Sequence, residues 1–123
     1  MTVLLRMTVG AVALLASASL AEAADPARGQ ELFALCQACH TLNGENGTGP
    51  TLKGVVGRQA GAVAGFRYSP AMRRANLVWD DANLERFLAD PQDVIRGNRM
   101  PFDGVPSAQD RADIVAYLDQ AAK

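Results

Sequence analysis

The order of apolar and polar positions predicts helices separated by long irregular connections. The first helix is expected from about Arg28 to Ala38, where apolar positions recur at helical spacing and Gly29 lies on the same side as Phe33. No stretch alternates residue by residue, as a half-buried strand would. The pattern therefore indicates an all-α domain whose first helix runs directly into a segment with two cysteines and a histidine.

A last helix is expected from Ser107 to the C-terminus. Ser107 and the acidic residue three positions later form a capping box, and Ile114 and Tyr117 define the inward face. We expect this face to cross the first helix near Gly29 and Phe33, because a residue without a side chain lets two backbones approach closely. The alternative is that Gly29 faces solvent as part of a helix cap.

Between these helices the sequence predicts two or three short helices and long loops. Each short helix has a serine or an aspartate as its start signal, in two cases followed at once by proline, which suits the first helical turn. Glycine, asparagine and proline are frequent in the connections, including residues 43–50 and 96–106. The expected short helices run from Pro70 to near Asn76, from Asp80 to the residue before Pro91, and from Pro91 through Ile95.

The N-terminal segment has the layout of a secretory signal peptide. One positive charge within Met1–Arg6 precedes an apolar run from Met7 to Leu20, and Ala21-Glu22-Ala23 forms a small-residue cleavage site. The apolar run is too short to span a bilayer comfortably, although an uncleaved membrane anchor is the alternative. The chain thus divides into a signal peptide, residues 1–23, and one domain, residues 24–123, that we expect in the periplasm.

The charge and size of this domain limit its partners. The whole chain carries a formal net charge of −1, and removing the leader takes away Arg6 and Glu22, so the domain stays close to neutral. Nucleic acid is not expected as a partner, because no basic stripe exists to neutralise phosphates. A domain this short buries a modest core, and a large apolar cofactor would help to fill it.

The segment Cys36-Gln37-Ala38-Cys39-His40 is the attachment signature of a c-type haem. At helical spacing Cys36, Cys39 and His40 share one face. The two thiols can add to the haem vinyl groups as thioethers, and His40, the only histidine of the chain, can supply the proximal iron ligand. A thioredoxin-like pair lacks its βαβ context, and a zinc site lacks a fourth ligand. A plain disulfide in an exported protein stays open.

Two methionines of the domain, Met72 and Met100, are candidates for the second iron ligand. Met72 stands on a short amphipathic helix, where a methionine is more often core filler. Met100 stands in a loop between Arg99 and Pro101, where burial alone would not place it, and the proline favours an extended backbone at Met100. We therefore predict Met100 as the distal ligand, in the histidine/methionine pairing common in such proteins.

Together with the haem motif, further segments resemble the class I c-type cytochromes, in their bacterial cytochrome c2-like or mitochondrial-like branch. The agreement extends in order from Gly29 to Leu118 and is far more specific than the haem motif alone. The matching segments are Thr48–Arg58, Gly65–Ser69, Trp79, Asp90-Pro91, Gly97–Met100 and Ala116–Leu118. The resemblance implies a small monohaem cytochrome c fold, in which N- and C-terminal helices cross and short helices and long loops surround one covalently bound haem c.

The resemblance also implies roles for individual residues. Pro50 matches the proline whose carbonyl accepts the proximal histidine N–H, which fixes the ring and makes it more basic. Arg58, Tyr68 and Trp79 match the groups that hydrogen-bond the inner haem propionate, a carboxylate that would be costly to bury without donors. For Trp79, simple core packing is an alternative role that is compatible with the first.

Some positions depart from the mitochondrial pattern. Phe87 stands where a tyrosine often lies beside the methionine ligand. Asn98 replaces a threonine, and Arg96 replaces a proline, just before Met100. The ring of lysines around the haem edge is absent. Without the tyrosine, one hydrogen bond near the methionine sulfur is expected to be missing, and the reduction potential is expected to shift accordingly.

The function that the resemblance implies is single-electron carriage by a monomeric periplasmic shuttle that is not an enzyme and is not stably inserted in a membrane. Its redox partners would include a quinol–cytochrome c oxidoreductase, a terminal oxidase, a photosynthetic reaction centre or a periplasmic dehydrogenase. One alternative is a cytochrome subunit held in a dehydrogenase complex. Another is a haem peroxidase or gas sensor, if Met100 does not bind the iron.

Overall fold

The computed structural model describes Ser17 and residues 22–123. Most of the predicted signal peptide, residues 1–16 and 18–21, lies outside the described residues. Within the described part, helices alternate with long loops, and an isolated antiparallel bridge between Gln59 and Val78 is the one β pairing. The elements are α1 (Pro26–Leu32), a 3₁₀ turn (Phe33–Leu35), α2 (Pro70–Arg73), α3 (Asp81–Ala89), α4 (Pro91–Val94) and α5 (Ala108–Ala121). None of these helices has the length and apolar character needed to cross a membrane.

Helix α1 begins earlier than the sequence predicts. The carboxylate of Asp25 accepts hydrogen bonds from the backbone N–H groups of Ala27 at 2.9 Å and Arg28 at 3.3 Å. Pro26 occupies the first helical position, where its missing N–H costs nothing. The predicted start at Arg28 is therefore wrong, because Asp25-Pro26 is the same kind of start signal that predicts the shorter helices.

Helix α1 also ends earlier than predicted. After Leu32 the chain tightens into a 3₁₀ turn, and the N–H of Cys36 donates to the carbonyl of Phe33 at 2.8 Å. Such bonds satisfy the carbonyls at a helix end with fewer residues per turn. The predicted α-helix through Ala38 is therefore wrong in its last part. The N–H of His40 still donates to the carbonyl of Cys36 at 2.9 Å, so the haem motif keeps a helical offset.

The predicted crossing of the first and last helices is confirmed. A Cβ atom added to Gly29 would stand 1.9 Å from the carbonyl oxygen of Asp113 in α5, so only glycine allows the observed approach. At the start of the 3₁₀ turn that follows α1, the ring of Phe33 packs against the ring of Tyr117, with centroids 5.4 Å apart. Ile114, which was predicted to face inward, is 1 % exposed.

Asp113 is a buried charged residue at this crossing, and its role was missed by the sequence analysis. One carboxylate oxygen accepts from the N–H of Asp25 at 2.8 Å and from the side chain of Gln109 at 2.9 Å. The other oxygen accepts from the guanidinium of Arg28 at 2.7 Å. The hydrogen bond from Asp25 and that from Arg28 hold the pKa of Asp113 below its ordinary value, against the opposing effect of burial. The carboxylate thus ties the start of α1 to α5.

Side-chain caps begin the other helices as predicted. Each cap accepts a backbone N–H from the first turn of its helix, and the four caps are Ser69, Asp80, Asp90 and Ser107. Helix α2 ends at Arg73, before the predicted end near Asn76. The φ of Asn76 is 50°, in the left-handed region that a right-handed helix does not enter.

Candidate cofactor site

A cavity of about 450 Å³ lies among the helices and loops. Its wall is mostly apolar and takes residues from the 3₁₀ turn, from α2, α3 and α5, and from the loops between them. All eight residues predicted for the site contribute to this one wall: Cys36, Cys39, His40, Pro50, Arg58, Tyr68, Trp79 and Met100. The structure therefore brings together side chains that lie far apart in the sequence.

The ring of His40 is held by the loop that follows it. Its Nδ1 atom lies 2.7 Å from the carbonyl oxygen of Pro50, which is the contact expected from the sequence. Because a carbonyl oxygen can only accept, the ring proton is placed on Nδ1. The neutral ring then keeps the lone pair of Nε2 for a metal ion.

Gly49 is a part of the site that the sequence analysis missed. A Cβ atom at this position would stand 2.5 Å from Cε1 and 2.8 Å from Nδ1 of His40. Any larger residue would displace the imidazole from its place against the backbone. The neighbouring N–H of Gly49 donates to the carbonyl of Cys39 at 2.8 Å, which returns the loop to the haem motif. The sign of this role in the sequence is a glycine directly before Pro50. Such a glycine is also typical of an ordinary turn.

The two cysteines are half-buried and are not joined to each other. Burial, with a smaller effect of the neighbouring Cys39, raises the pKa of the Cys36 thiol. A reactive redox cysteine needs a lowered pKa, so the surroundings of Cys36 do not favour a thioredoxin-like pair. Both sulfur atoms belong to residues of the cavity wall, in the turn that also carries His40.

Both methionines of the domain line the cavity. Met72 lies in α2, and both Met72 and Met100 are partly buried and pack against the core. Met100 lies in the loop between α4 and α5, and its backbone N–H donates to the side-chain oxygen of Asn98 at 3.0 Å. Two thioethers are therefore present at the cavity, one on a helix and one on a loop.

Arg58 and Tyr68 are engaged with the backbone around the cavity. The guanidinium of Arg58 donates to the carbonyls of Thr51 at 3.0 Å and Lys53 at 2.8 Å. Burial lowers the pKa of Arg58, and the nearby Tyr68 partly offsets this effect. The hydroxyl of Tyr68 accepts from the N–H of Val63 at 3.1 Å, so its own proton can be donated elsewhere.

Trp79 has the packing role that was left open as an alternative. It is 7 % exposed, and its ring meets the edge of Phe87 with centroids 4.9 Å apart. Its backbone also pairs with Arg58 and Gly57. Trp79 also lines the cavity, so its indole N–H can donate to a group that is bound there.

The residues of the wall suit a haem. The volume lies within the roughly 300–1,000 Å³ typical of cofactor sites. Two thiols can form thioethers, an imidazole and a thioether are iron-ligand types, and the apolar wall suits a flat macrocycle. The indole N–H of Trp79 would suit a carboxylate of that group. Fold and cavity together define a small all-α protein that holds a covalently attached haem.

A family model for cytochrome c matches residues 26–122, and the chain belongs to the cytochrome c family. It is 44 % identical over 112 residues to a cytochrome c2 of Rhodomicrobium vannielii, covering 89 % of each chain. It is 47 % identical to a cytochrome c2 iso-2 of Magnetospirillum fulvum, over 70 % of this chain and 91 % of that one. The solved structure of cytochrome cH from Methylobacterium extorquens superposes with a TM-score of 0.75 at 45 % identity, covering 77 % of this chain and 97 % of that chain.

Membership of this family confirms the predicted all-α monohaem fold and its c2-like branch. It also confirms the cofactor, one haem c bound covalently through Cys36 and Cys39. The chain is therefore a small electron-transfer cytochrome.

Proposed function

We propose that this cytochrome is a periplasmic single-electron shuttle in which His40 and Met100 would bind the haem iron. The observation that carries the proposal is the position of these two residues in the wall of one cavity, although they belong to distant loops. The hydrogen bond from His40 Nδ1 to the Pro50 carbonyl supports the first ligand, because it orients the ring and raises its basicity.

The haem supplies an iron that gains and loses one electron. The protein residues set how readily this happens. The apolar wall and a methionine ligand both disfavour the additional positive charge of the oxidised state, which raises the reduction potential. Arg58, Tyr68 and Trp79 are proposed to donate to the inner propionate. Two protein ligands leave no iron position for a substrate, so we propose no catalytic reaction.

The proposed location follows from the leader. Residues 1–23 are proposed as a cleaved signal peptide, which delivers the domain to the compartment where thiols are joined to haem. Electrons would then pass between periplasmic or membrane-bound redox proteins. The candidates are a quinol–cytochrome c oxidoreductase, a terminal oxidase, a photosynthetic reaction centre and a periplasmic dehydrogenase. We propose a monomer that meets these partners transiently.

Carbon monoxide tests whether the iron is closed by two protein ligands. The spectrum of the reduced holoprotein should not change under carbon monoxide, because Met100 occupies the position that the gas would take. Met100→Ala should bind the gas, whereas the matched variant Met72→Ala should not. Rapid carbon monoxide binding by the wild-type protein would contradict the shuttle and would instead favour a haem enzyme or gas sensor.

A further inference from the structure

Asn98 is the most fully engaged polar side chain in the loop that carries Met100. It is 7 % exposed, and its amide nitrogen donates to the carbonyls of Pro91 at 2.9 Å and Ile95 at 2.8 Å. Its side-chain oxygen accepts the backbone N–H of Met100 at 3.0 Å. The side-chain amide of Asn98 therefore links Pro91 and Ile95, at the two ends of α4, to the backbone of Met100.

Gln92, at the start of α4, makes two further hydrogen bonds to the same loop. Its amide nitrogen donates to the backbone carbonyl of Asn98 at 2.9 Å, and its oxygen accepts the N–H of Gly97 at 3.0 Å. The two residues thus form an amide clamp, by which we mean Gln92 and Asn98 with these five hydrogen bonds. The clamp therefore fixes the backbone N–H of Gly97, the backbone carbonyl of Asn98 and the backbone N–H of Met100.

The loop makes few other hydrogen bonds, although Met100 and Phe102 also pack against the core. Between residues 96 and 102 the backbone makes two bonds of its own, from the N–H of Asn98 to Ile95 and from the N–H of Phe102 to Met100. Both bonds close short local turns. The side-chain bonds between this loop and α4 are those of the clamp. The residues on either side of Met100, Arg99 and Pro101, are exposed and do not anchor it by burial.

We propose that Asn98 is a positioning residue that holds Met100 in place as an iron ligand, and that Gln92 supports it. This inference rests on the proposed ligation by Met100. A buried amide fixes direction well, because losing it leaves the N–H of Met100 without its partner and removes one of the two hydrogen bonds that the carbonyls of Pro91 and Ile95 each accept. The replacement of threonine by asparagine at this position is therefore a change in how the ligand loop is held.

The test uses oxidised holoprotein with haem attached, and three variants of the clamp: Asn98→Ala, Asn98→Ser and Gln92→Ala. Two properties are measured, the absorption band that arises from sulfur-to-iron charge transfer and the affinity for added imidazole, which competes with Met100.

Asn98→Ala should weaken the band and raise the imidazole affinity about tenfold, the effect of about one net hydrogen bond. Asn98→Ser should recover part of the loss, because its hydroxyl can accept the Met100 N–H. Gln92→Ala, at an exposed residue, should show a smaller change of the same sign.

Asn83→Ala is the matched control. Its side chain donates to the carbonyl of Val78 at 2.8 Å, outside the cavity wall. This variant should lower the unfolding temperature and leave imidazole affinity unchanged. If both Asn98→Ala and Gln92→Ala keep the wild-type band and imidazole affinity while losing stability as Asn83→Ala does, the clamp is merely structural and the inference is wrong. Absence of the band from the wild-type protein would instead overturn Met100 ligation itself, and the inference with it.

Discussion

Gly29 and Asp113 are in contact through their backbones, since a Cβ at Gly29 would stand 1.9 Å from the Asp113 carbonyl oxygen. This contact sets how closely α1 and α5 approach. The side chain of Asp113 then reaches back to the start of α1, where it receives the N–H of Asp25 and the guanidinium of Arg28. One residue of α5 thus limits the distance between the two helices and also joins them by charge-assisted hydrogen bonds.

Replacing Gly29 by alanine should destabilise the protein. In an exposed helix the same change would stabilise by roughly 0.5–1 kcal/mol, because alanine favours helices. Here the added methyl group meets a backbone carbonyl that cannot turn away, so we expect a loss of about 2–3 kcal/mol, the upper part of the range for overpacking. Urea denaturation measures it. Gly47→Ala is the control, since its new Cβ would lie 3.3 Å from the nearest atom, the carbonyl oxygen of Cys39. Equal stability of the Gly29→Ala variant and the wild type would contradict the close crossing.

Asp113 should make stability depend on pH in the acid range. Its pKa is lowered in the folded protein, so its contribution is complete above the unfolded value of about 3.9 and is lost as pH falls through the folded value. Asp113→Asn should therefore be less stable than the wild type at pH 7, and the difference should shrink below about pH 4. Denaturant unfolding of both proteins at pH 7 and below about pH 4 measures this difference. The control Asp103→Asn, at an exposed residue, should have nearly the stability of the wild type at both pH values.

Much of the fold was predictable because its signals are local. Ser69, Asp80, Asp90 and Ser107 cap helices with their own neighbours, and a single sequence shows such caps directly. The errors in α1 also have local causes. Asp25-Pro26 was not considered as a start signal, and the change from α-helix to 3₁₀ turn after Leu32 has no residue that marks it.

The site was predictable where a motif specifies chemistry, and less so where position depends on distant contacts. Cys36, Cys39 and His40 carry their function in their spacing. Gly49 and Asp113 do not, because the groups that constrain them come from other segments of the folded chain. Asn98 was noticed only as a departure from the family pattern, and its hydrogen bonds to Pro91 and Ile95 required the structure.

Replacing Gly49 by alanine should disturb the His40 ligand. The new Cβ would stand 2.5 Å from Cε1 of the ring, so the imidazole must rotate or move away from the Pro50 carbonyl. We expect a changed low-spin electron paramagnetic resonance signal and a lower yield of haem-loaded protein. Gly47→Ala, in the same loop, should change both much less, because its new Cβ would lie 3.3 Å from the nearest atom, the carbonyl oxygen of Cys39. An unchanged resonance signal in Gly49→Ala would mean that the ring is not held as described.

Replacing Trp79 by phenylalanine separates its two roles. The ring packing against Phe87 should be largely kept, while the indole donor is lost. With less neutralisation of the buried propionate, the oxidised state is favoured, and the reduction potential should fall on the order of tens of millivolts, where 59 mV is a tenfold change for one electron. Trp79→Leu should lower the potential equally but cost more stability. Potentiometry that finds no change in either variant would leave packing as the only role.

We propose that Met100, and not Met72, would bind the haem iron together with His40. The most direct measurement is the absorption spectrum of the oxidised holoprotein in the long-wavelength region, where a weak sulfur-to-iron band appears. We predict this band in the wild type and in Met72→Ala, and its loss in Met100→Ala. A band that survives in Met100→Ala and disappears in Met72→Ala, or one that is absent from the wild type, would contradict ligation by Met100.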